Sequence, residues 1–428
     1  MSALPKEALR RGWCPSTLKP METGDGWLVR LHPPGARLSP AQLCRIAALA
    51  AEHGNGLIEI SARANLQIRG VTPDTHPKLV ERLLAECLID EHDGDGPQRL
   101  TLVSPLAGQD PTGLIDAAAL AQRIEQSART IYDLPAKLGV VVDDGGAQAL
   151  DEFSCDIRLI GIAAGHVALC LGDRHWHGPV AEGEAAAAVE TALHRFANLR
   201  KGKPDRIRRL RDLPADALAG LTELPETSAP AIRPRPRRAG LLKLNRDRLA
   251  VLIGLPFGRC DAATLDRLGA GFETGAAEIR LSPWRGLAFR DLGHAEADRL
   301  MALARDLGLI TSDGDPRLSV QACAGSPACS RAEVPTMMDA AKLAGAASDL
   351  LTRGARLHVS GCAKACAHPG ATDLTLVGRN GLYDVVFDGT TRDKPIATLD
   401  LSALLTRLQP GQDIHARLEA ARSAGSQG

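Results

Sequence analysis

Two stretches of the chain share one alternation of hydrophobic and polar positions. Residues 26–70 read as an apolar strand, a proline–glycine loop, an amphipathic helix, a glycine turn and a second strand. Residues 248–290 repeat this order. In the first stretch Ser39 is a suitable N-cap, Pro40 suits the first helical turn, and Gly54 ends the helical spacing of apolar residues. The pattern therefore predicts a β-α-β unit that occurs twice.

A second pair of repeats follows these units. Residues 99–103 match residues 317–321, and residues 156–161 match residues 373–378, both at an offset of roughly 217 residues. The alternative is a coincidence between two ordinary α/β domains, and the shared offset argues against it. The sequence thus predicts two copies of one unit, each with a half-domain and a larger α/β domain.

The repeats suggest where the domains begin and end. We expect half-domains over residues 11–73 and 246–305, and larger α/β domains over residues 74–205 and 306–428. Proline and arginine alternate in residues 206–245, which favours an extended, solvated linker. An RNA-binding tail is disfavoured because no aromatic residues are interleaved for stacking.

Composition narrows the classes of protein. The chain has 428 residues, of which 44% are hydrophobic and 24% charged, with a net charge of zero. It has no long apolar run and no apolar core near its N-terminus, so we expect a cytoplasmic protein that binds neither membrane nor nucleic acid. Ten cysteines in a reducing compartment favour metal ligation or core packing over disulfides.

Four of the cysteines have the spacing of a metal site. Cys323 and Cys329 form a C-x5-C motif, and Cys362 and Cys366 form a C-x3-C motif. Soft thiolate ligands select iron–sulfur clusters, zinc or copper(I). Structural zinc prefers shorter knuckles, often with histidine, so the spacing favours an iron–sulfur cubane. Zinc and four unligated core cysteines remain the alternatives.

The first copy lacks these cysteines. It has Pro105 and Pro111 at the positions of the first motif and Gly145 at the position of Cys362. The cysteines therefore belong to a site in one copy and are not packing residues of the common unit. The other cysteines have no such spacing, and we interpret them as core residues except Cys14, whose role stays open: Cys14, Cys44, Cys87, Cys155, Cys170 and Cys260.

A C-x5-C and a C-x3-C motif after a repeated half-domain resemble the sirohaem sulfite and nitrite reductases. The resemblance implies an α/β (α+β) fold of that type, with two tandem copies of a ferredoxin-like half-domain plus a larger α/β domain, related by a pseudo-twofold axis. It also implies that the four cysteines hold a [4Fe–4S] cluster. In the reductases the last of these cysteines contacts the sirohaem iron.

The same resemblance implies substrate-binding residues. The segment ISARANLQIRG, with Arg63 and Gln67, is similar to an anion-binding strand of the reductases. Arg99 and Lys137 resemble further basic residues that line the tetrapyrrole pocket. One departure is Gly139, where the reductases have a second lysine that helps to deliver protons. The alternative for each cation is an ordinary surface position.

Several separated segments resemble a narrower family, the precorrin-3B synthases of aerobic cobalamin biosynthesis. These segments are RRGWCPSTLKPMETGDGWLVRLH, LPAKLGVVVDDGG, RLSPWRGLAFRDL and SGCAKACAHPG. The resemblance implies a monooxygenase that hydroxylates precorrin-3A at C20 with dioxygen, after which a ring acetate closes a γ-lactone. It implies a mononuclear non-haem iron beside the cluster, and no sirohaem is expected.

The sequence leaves several roles open. His368 follows Cys366 by two residues and either binds a metal near the cluster or only forms a hydrogen bond there. The pair in HWHG, His175 and His177, is a possible ligand pair or a simple hairpin. Trp284 and its neighbour Arg285 could contact a planar macrocycle, or the tryptophan could pack in the core.

Electrons for the reaction must come from outside the chain. No G-x-G-x-x-G motif lies between a predicted strand and helix, so no nicotinamide or flavin domain is expected. A separate reductase or ferredoxin-type donor is implied, with NADH upstream. Two alternative functions remain: a sirohaem-dependent sulfite or nitrite reductase, and a non-catalytic iron–sulfur or zinc electron-transfer subunit.

Overall fold

The chain folds as two copies of one series of elements, and a computed structural model describes residues 13–90, 96–272 and 278–409. In chain order the first copy contains β1 Met21–Thr23, β2 Gly26–Leu31, β3 Arg37–Leu38, α1 Pro40–His53, β4 Leu57–Ile60, β5 Leu66–Val71, α2 His76–Ala85, β6 Thr101–Val103, α3 Ala117–Ala128, β7 Val140–Asp143, β8 Ile157–Ala163, β9 His166–Leu171, β10 His175–Ala181, α4 Glu182–Arg200 and α5 Ala215–Ala219. The second copy contains β11 Gly240–Lys243, β12 Leu249–Gly254, β13 Arg259–Asp261, α6 Ala262–Ala270, β14 Glu278–Ser282, β15 Gly286–Leu292, α7 His294–Asp306, β16 Val320–Ala322, α8 Thr336–Ala346, α9 Ser348–Thr352, β17 Leu357–Ser360, β18 Thr372–Arg379, β19 Leu382–Gly389, β20 Ala397–Leu399 and α10 Leu401–Arg407.

The two half-domains exchange short edge strands. One antiparallel sheet has the order β1-β2-β5-β4-β13, and the other has the order β11-β12-β15-β14-β3. Each sheet therefore takes its last strand from the other copy, as expected for a pair of units related by an approximate twofold axis. Helix α1 begins as the sequence predicted, with a capping box between Ser39 and Gln42. It packs closely on α6, where a Cβ atom on Gly269 would lie 2.4 Å from the Cys44 sulfur.

The larger domains also repeat one topology. The first sheet has the order β10-β9-β8-β7-β6 and the second β16-β17-β18-β19-β20. In each sheet the first three strands along the chain are parallel and the last two are antiparallel. The carboxyl ends of β16 and β17 therefore meet at one edge of the second sheet, and those of β6 and β7 at the matching edge of the first. The predicted fold class is confirmed.

The predicted linker over residues 206–245 is packed in its first part, while most of residues 223–238 are exposed. Leu210, Leu213, Leu218 and Leu221 are buried in the core of the first larger domain, because their spacing lets one apolar face meet that core. Strand β11 already belongs to the second half-domain sheet. Two arginines of this segment, Arg209 and Arg233, bind buried carboxylates, as described below.

Parts of the expected domains lie outside the residues that the structure describes. Residues 11–12 of the first expected half-domain and residues 410–428 of the last expected domain lie outside them. Within the described ranges, no helix combines the length and the apolar composition that a membrane crossing requires.

Candidate active site beside the cysteine motifs

The four motif cysteines come together at the edge where β16 and β17 end. Cys323 directly follows β16, and Cys362 follows β17 by two residues. The Cys323 sulfur accepts a hydrogen bond from the Gly361 backbone N–H at 3.2 Å. Burial raises the pKa of Cys362 and of Cys366, and the nearby Cys323 and Cys329 raise both pKa values further. The two motifs, about thirty residues apart in sequence, thus lie at the same edge of the sheet, and we refer to the four side chains as the thiol cluster.

The donor set fits an iron–sulfur cubane. Four cysteine thiolates are the ligands that such clusters use, and Cys323, Cys329, Cys362 and Cys366 would supply them. When bound, the cluster would supply electrons one at a time. Of these four cysteines, Cys366 is the one that also lines a large cavity.

Both half-domains hold the cysteine loops. Arg69 of the first half-domain donates from Nη2 to the carbonyl oxygen of Ala328 at 2.9 Å, next to Cys329. Arg285 of the second half-domain donates to the carbonyl oxygen of Ala367 at 2.9 Å, next to Cys366. The ligand loops are therefore fixed by one arginine from each copy.

Gly24 also supports the first cysteine loop. Its backbone N–H donates to the carbonyl oxygen of Ala328 at 3.1 Å. A Cβ atom at Gly24 would lie 2.4 Å from the carbonyl oxygen of Pro327, so a side chain there would displace the loop. The close approach of these two backbones requires glycine at this position.

A cavity of about 1300 Å³ lies between the copies, with Cys366 and Cys14 in its wall. Among the described residues that line it, none is an aspartate or a glutamate, while nine are cations. The cations are Lys19, Arg30, Arg63, Arg99, Lys137, Arg209, Arg211, Lys364 and Arg392. Such a wall suits a ligand with several carboxylates, since arginine pairs bidentately with that group.

The electrostatics of the cavity reflect this crowding of like charges. Burial lowers the pKa of Arg99 to about 10. Burial also lowers the pKa of Arg63, and the neighbouring Arg209 lowers it further. Arg63 nevertheless has a large exposed fraction, because its side chain faces the open cavity. An anionic ligand would relieve the mutual repulsion of these guanidinium groups.

Three of the four residues predicted to bind substrate lie at the cavity wall. Arg63, Arg99 and Lys137 line the cavity together. Gln67 does not line it: its side chain is buried, and its Oε1 accepts from Arg30 Nε and Nη2 at 3.0 and 2.8 Å. We predicted that Gln67 binds substrate directly. Its side chain instead lies beneath the cavity wall, where it orients Arg30.

A buried ion network continues below Gln67. Its Nε2 donates to Glu59 Oε2 at 3.0 Å, and Glu59 also accepts from Arg69 and from Arg259 of the second copy. Arg69 is therefore neither a cavity residue nor an ordinary surface cation. It connects the Glu59 carboxylate to the loop of Cys329.

Sequence reasoning missed Arg30, Arg209 and Arg211. Arg30 was detectable as a single cation within the apolar strand GWLVRL. Arg209 and Arg211 lie in the segment that we expected to be a solvated linker. Arg209 instead donates from Nε to both carboxylate oxygens of buried Asp156, at 2.9 and 2.8 Å. Cys14, which had no assigned role, lies close enough to Arg30 to form a hydrogen bond with it.

The candidate histidines lie away from the cavity wall. The His368 ring packs edge-on against His358, with 5.9 Å between ring centroids. His358 is fully buried, and burial lowers its pKa to about 4. His177 lies on β10 and its Nδ1 contacts the carbonyl oxygen of Leu224 at 3.2 Å. Trp284 packs on Phe153 and does not line the cavity.

The implied mononuclear iron does not find a matching donor set in the described residues. Over residues 13–90, 96–272 and 278–409, no group of three or more histidine, cysteine, aspartate or glutamate side chains, the four motif cysteines included, is close enough to hold a metal ion. We therefore assign no step of the reaction to such an iron.

Known proteins resemble both the sequence and the fold. Residues 19–86 match the family described as the nitrite/sulfite reductase ferredoxin-like half domain, a match that extends past residue 73 to include α2. A precorrin-3B synthase from Sinorhizobium sp. is 33% identical, with 98% of this chain and 92% of that protein covered. A ferredoxin–nitrite reductase from Synechococcus elongatus is 24% identical over 86% of this chain and 79% of that protein.

A solved structure supports the same fold. The NirA protein of Mycobacterium tuberculosis superposes with a TM-score of 0.71 at 20% identity, over 92% of this chain and 83% of that one. Fold and site together define a protein of the sulfite/nitrite reductase-like class, whose members include nitrite and sulfite reductases. Within that class, the chain belongs to the precorrin-3B synthase family.

Proposed function

We propose that this protein is an iron–sulfur monooxygenase that converts precorrin-3A to precorrin-3B in aerobic cobalamin biosynthesis. The observation that carries the proposal is the cationic cavity with Cys366 in its wall. Precorrin-3A is a metal-free tetrapyrrole with many carboxylates, so the cavity matches its charge. The 33% identical relative from Sinorhizobium sp. supports the same substrate class.

The reaction requires one dioxygen, two electrons and two protons for each substrate. One oxygen atom would enter at C20, the other would leave as water, and a ring acetate would then close the γ-lactone. A [4Fe–4S] cluster on the four cysteines would pass on electrons from a separate reductase or ferredoxin-type donor, with NADH upstream.

The residues of the chain would bind and orient the substrate. Arg63, Arg209 and Lys137 would pair with carboxylates, and these contacts would fix the macrocycle relative to Cys366. Arg30, which Gln67 orients, would contribute a further cation on the same wall. Holding the ring in one position selects a single carbon for oxidation.

The test is a single turnover with labelled dioxygen. Reduced protein with a reconstituted cluster is mixed with precorrin-3A under anaerobic conditions and then exposed to ¹⁸O₂. We expect the product to gain one ¹⁸O atom, measured by mass spectrometry. A parallel sample in H₂¹⁸O with ordinary dioxygen detects oxygen that enters from water. A product without label from ¹⁸O₂ contradicts the monooxygenase assignment.

A sirohaem-dependent sulfite or nitrite reductase is the second candidate, because sirohaem also carries carboxylates that the cationic cavity would suit. The likeness to ferredoxin–nitrite reductase and to NirA favours it at the level of the fold. Purified protein distinguishes the two functions, since bound sirohaem has strong visible absorption and we expect none. Sulfite or nitrite reduction by protein with bound sirohaem would overturn our proposal.

A further inference from the structure

The guanidinium group of Arg63 lies directly over Gly139. An ideal Cβ atom on Gly139 would come within 2.3 Å of Arg63 Nη1 and 3.3 Å of its Cζ. Non-bonded atoms do not approach to 2.3 Å in packed proteins. A side chain at residue 139 would therefore force the guanidinium group of Arg63 out of its present position.

The turn that carries Arg63 is held in place from below. Arg99 donates from Nη2 to the carbonyl oxygens of Arg63 at 2.7 Å and of Ala64 at 2.6 Å. Ala64 has a positive φ of 51°, which the tight turn imposes. Arg63 also reaches across to the carbonyl oxygen of Ser154 at 3.4 Å. The backbone from which the Arg63 side chain extends is thus held by Arg99, and the guanidinium group contacts the wall opposite at Ser154.

The backbone at Gly139 is fixed as well. Its N–H donates to Asp156 Oδ2 at 3.0 Å, and its carbonyl oxygen accepts from the Asp156 N–H at 2.9 Å. Asp156 in turn forms the ion pair with Arg209. Residue 139 therefore cannot move back to give Arg63 more room, and the absence of a side chain provides that room.

Arg63 and Arg209 form a pair of like charges at the open cavity. Asp156 is the carboxylate bound by Arg209, and it is almost fully buried behind that side chain. The guanidinium of Arg63 makes a long contact of 3.4 Å to the carbonyl oxygen of Ser154 and faces the cavity. Two adjacent guanidinium groups at an open wall suit a carboxylate of a bound ligand.

We propose that Gly139 is a specificity-determining residue, which acts by leaving the space in which Arg63 presents its guanidinium to a ligand carboxylate. The choice of a tetrapyrrole polycarboxylate as this ligand rests on the proposed function. Gly139 itself touches no ligand, so its effect passes entirely through Arg63.

The experiment compares binding of uroporphyrin, a metal-free tetrapyrrole with eight carboxylates, by fluorescence titration of the cluster-loaded protein. We expect Arg63→Ala to bind about ten- to a hundredfold more weakly and Gly139→Ala about tenfold more weakly. The double variant should bind no more weakly than Arg63→Ala alone, since both changes remove one contact. Gly183→Ala is the matched control, because a Cβ atom there meets nothing within 4 Å.

The outcomes separate the role of Gly139 from the proposed ligand class. If wild-type protein binds uroporphyrin and Gly139→Ala binds as tightly as Gly183→Ala, the role of Gly139 is overturned and the proposed function stands. If wild-type protein does not bind uroporphyrin, the proposed ligand class fails and the inference fails with it. If Gly139→Ala does not fold, recovery of folding in the double variant supports the clash with Arg63, and failure of the double variant contradicts it.

Discussion

The two larger domains share one sheet topology and differ at one edge. In the second domain the loops after β16 and β17 carry the thiol cluster. In the first domain Gly145 stands at the position of Cys362, with a positive φ of 79°. A Cβ atom there would lie 2.2 Å from the carbonyl oxygen of Gly161, so no side chain fits. The common sheet thus provides the frame, and the loops decide whether a metal site can form.

At the matching edge of the first larger domain, an ion pair occupies the end of β7. Arg233, from the segment between the copies, donates to the two carboxylate oxygens of Asp143 at 2.6 and 2.7 Å and to Asp151 at 2.8 Å. Asp143 is 0% exposed. One edge therefore carries the four cysteines that we propose as cluster ligands, and the matching edge is stabilised by an ion pair within the chain.

Loss of one cysteine should have the largest effect. Cys362→Ala should lower the iron and sulfide content and abolish the native electron paramagnetic resonance signal of the reduced cluster, because alanine removes one of the four proposed thiolate ligands. Cys260→Ala is the control, since this thiol is buried in the half-domain core. Equal loss of the signal in both variants would show that the four ligands are wrongly chosen.

Breaking the ion pair of the first domain should have the next largest effect. Arg233→Ala leaves the buried Asp143 carboxylate without its cation, which should lower the free energy of unfolding by about 3–5 kcal/mol. Urea unfolding measures this change. Arg353→Ala breaks an exposed pair with Asp349 and should cost only about 0–1 kcal/mol. Similar costs for the two variants would contradict a structural role for Arg233.

A smaller, pH-dependent effect should come from Asp144, the neighbour of Asp143. Burial raises the pKa of Asp144 to about 7, and Asp110 and Asp143 contribute to the rise. The folded state then holds a proton that the unfolded state releases near its ordinary pKa of 3.8. Stability should therefore fall as the pH rises from about 4 to about 7, and this contribution should be constant outside that window.

The Asp144→Asn variant isolates this group. The difference in free energy of unfolding between wild-type protein and the variant should change by on the order of 3 kcal/mol across that pH window. The variant should be the more stable protein at pH 8. A difference that does not vary with pH would contradict the raised pKa.

The fold could be predicted because its signals are periodic and repeated. The helix at Ser39, the two copies and the confinement of Cys323 and Cys362 to one copy all follow from spacing along the chain. The exchange of β3 and β13 could not be predicted, because strands of two or three residues show too little alternation. The packing of Leu210 was hidden by the prolines and arginines that follow it.

The site could be predicted only where a motif marks it. Arg63 and Lys137 lie in motifs, and both line the cavity. Arg209 reaches the same cavity from outside any motif, because its position depends on the buried Asp156. Gln67 lies in a motif but its side chain faces inward, since strand register, which the motif does not state, decides the face.

The central claim is that the thiol cluster and the tetrapyrrole cavity form one site, joined at Cys366. The most direct test is the electron paramagnetic resonance spectrum of the reduced, cluster-loaded protein with and without saturating precorrin-3A under anaerobic conditions. The account predicts that bound precorrin-3A shifts the g-values of the cluster signal, and that Arg63→Ala requires more ligand for the same shift. A cluster spectrum that stays unchanged while precorrin-3A is bound would contradict it.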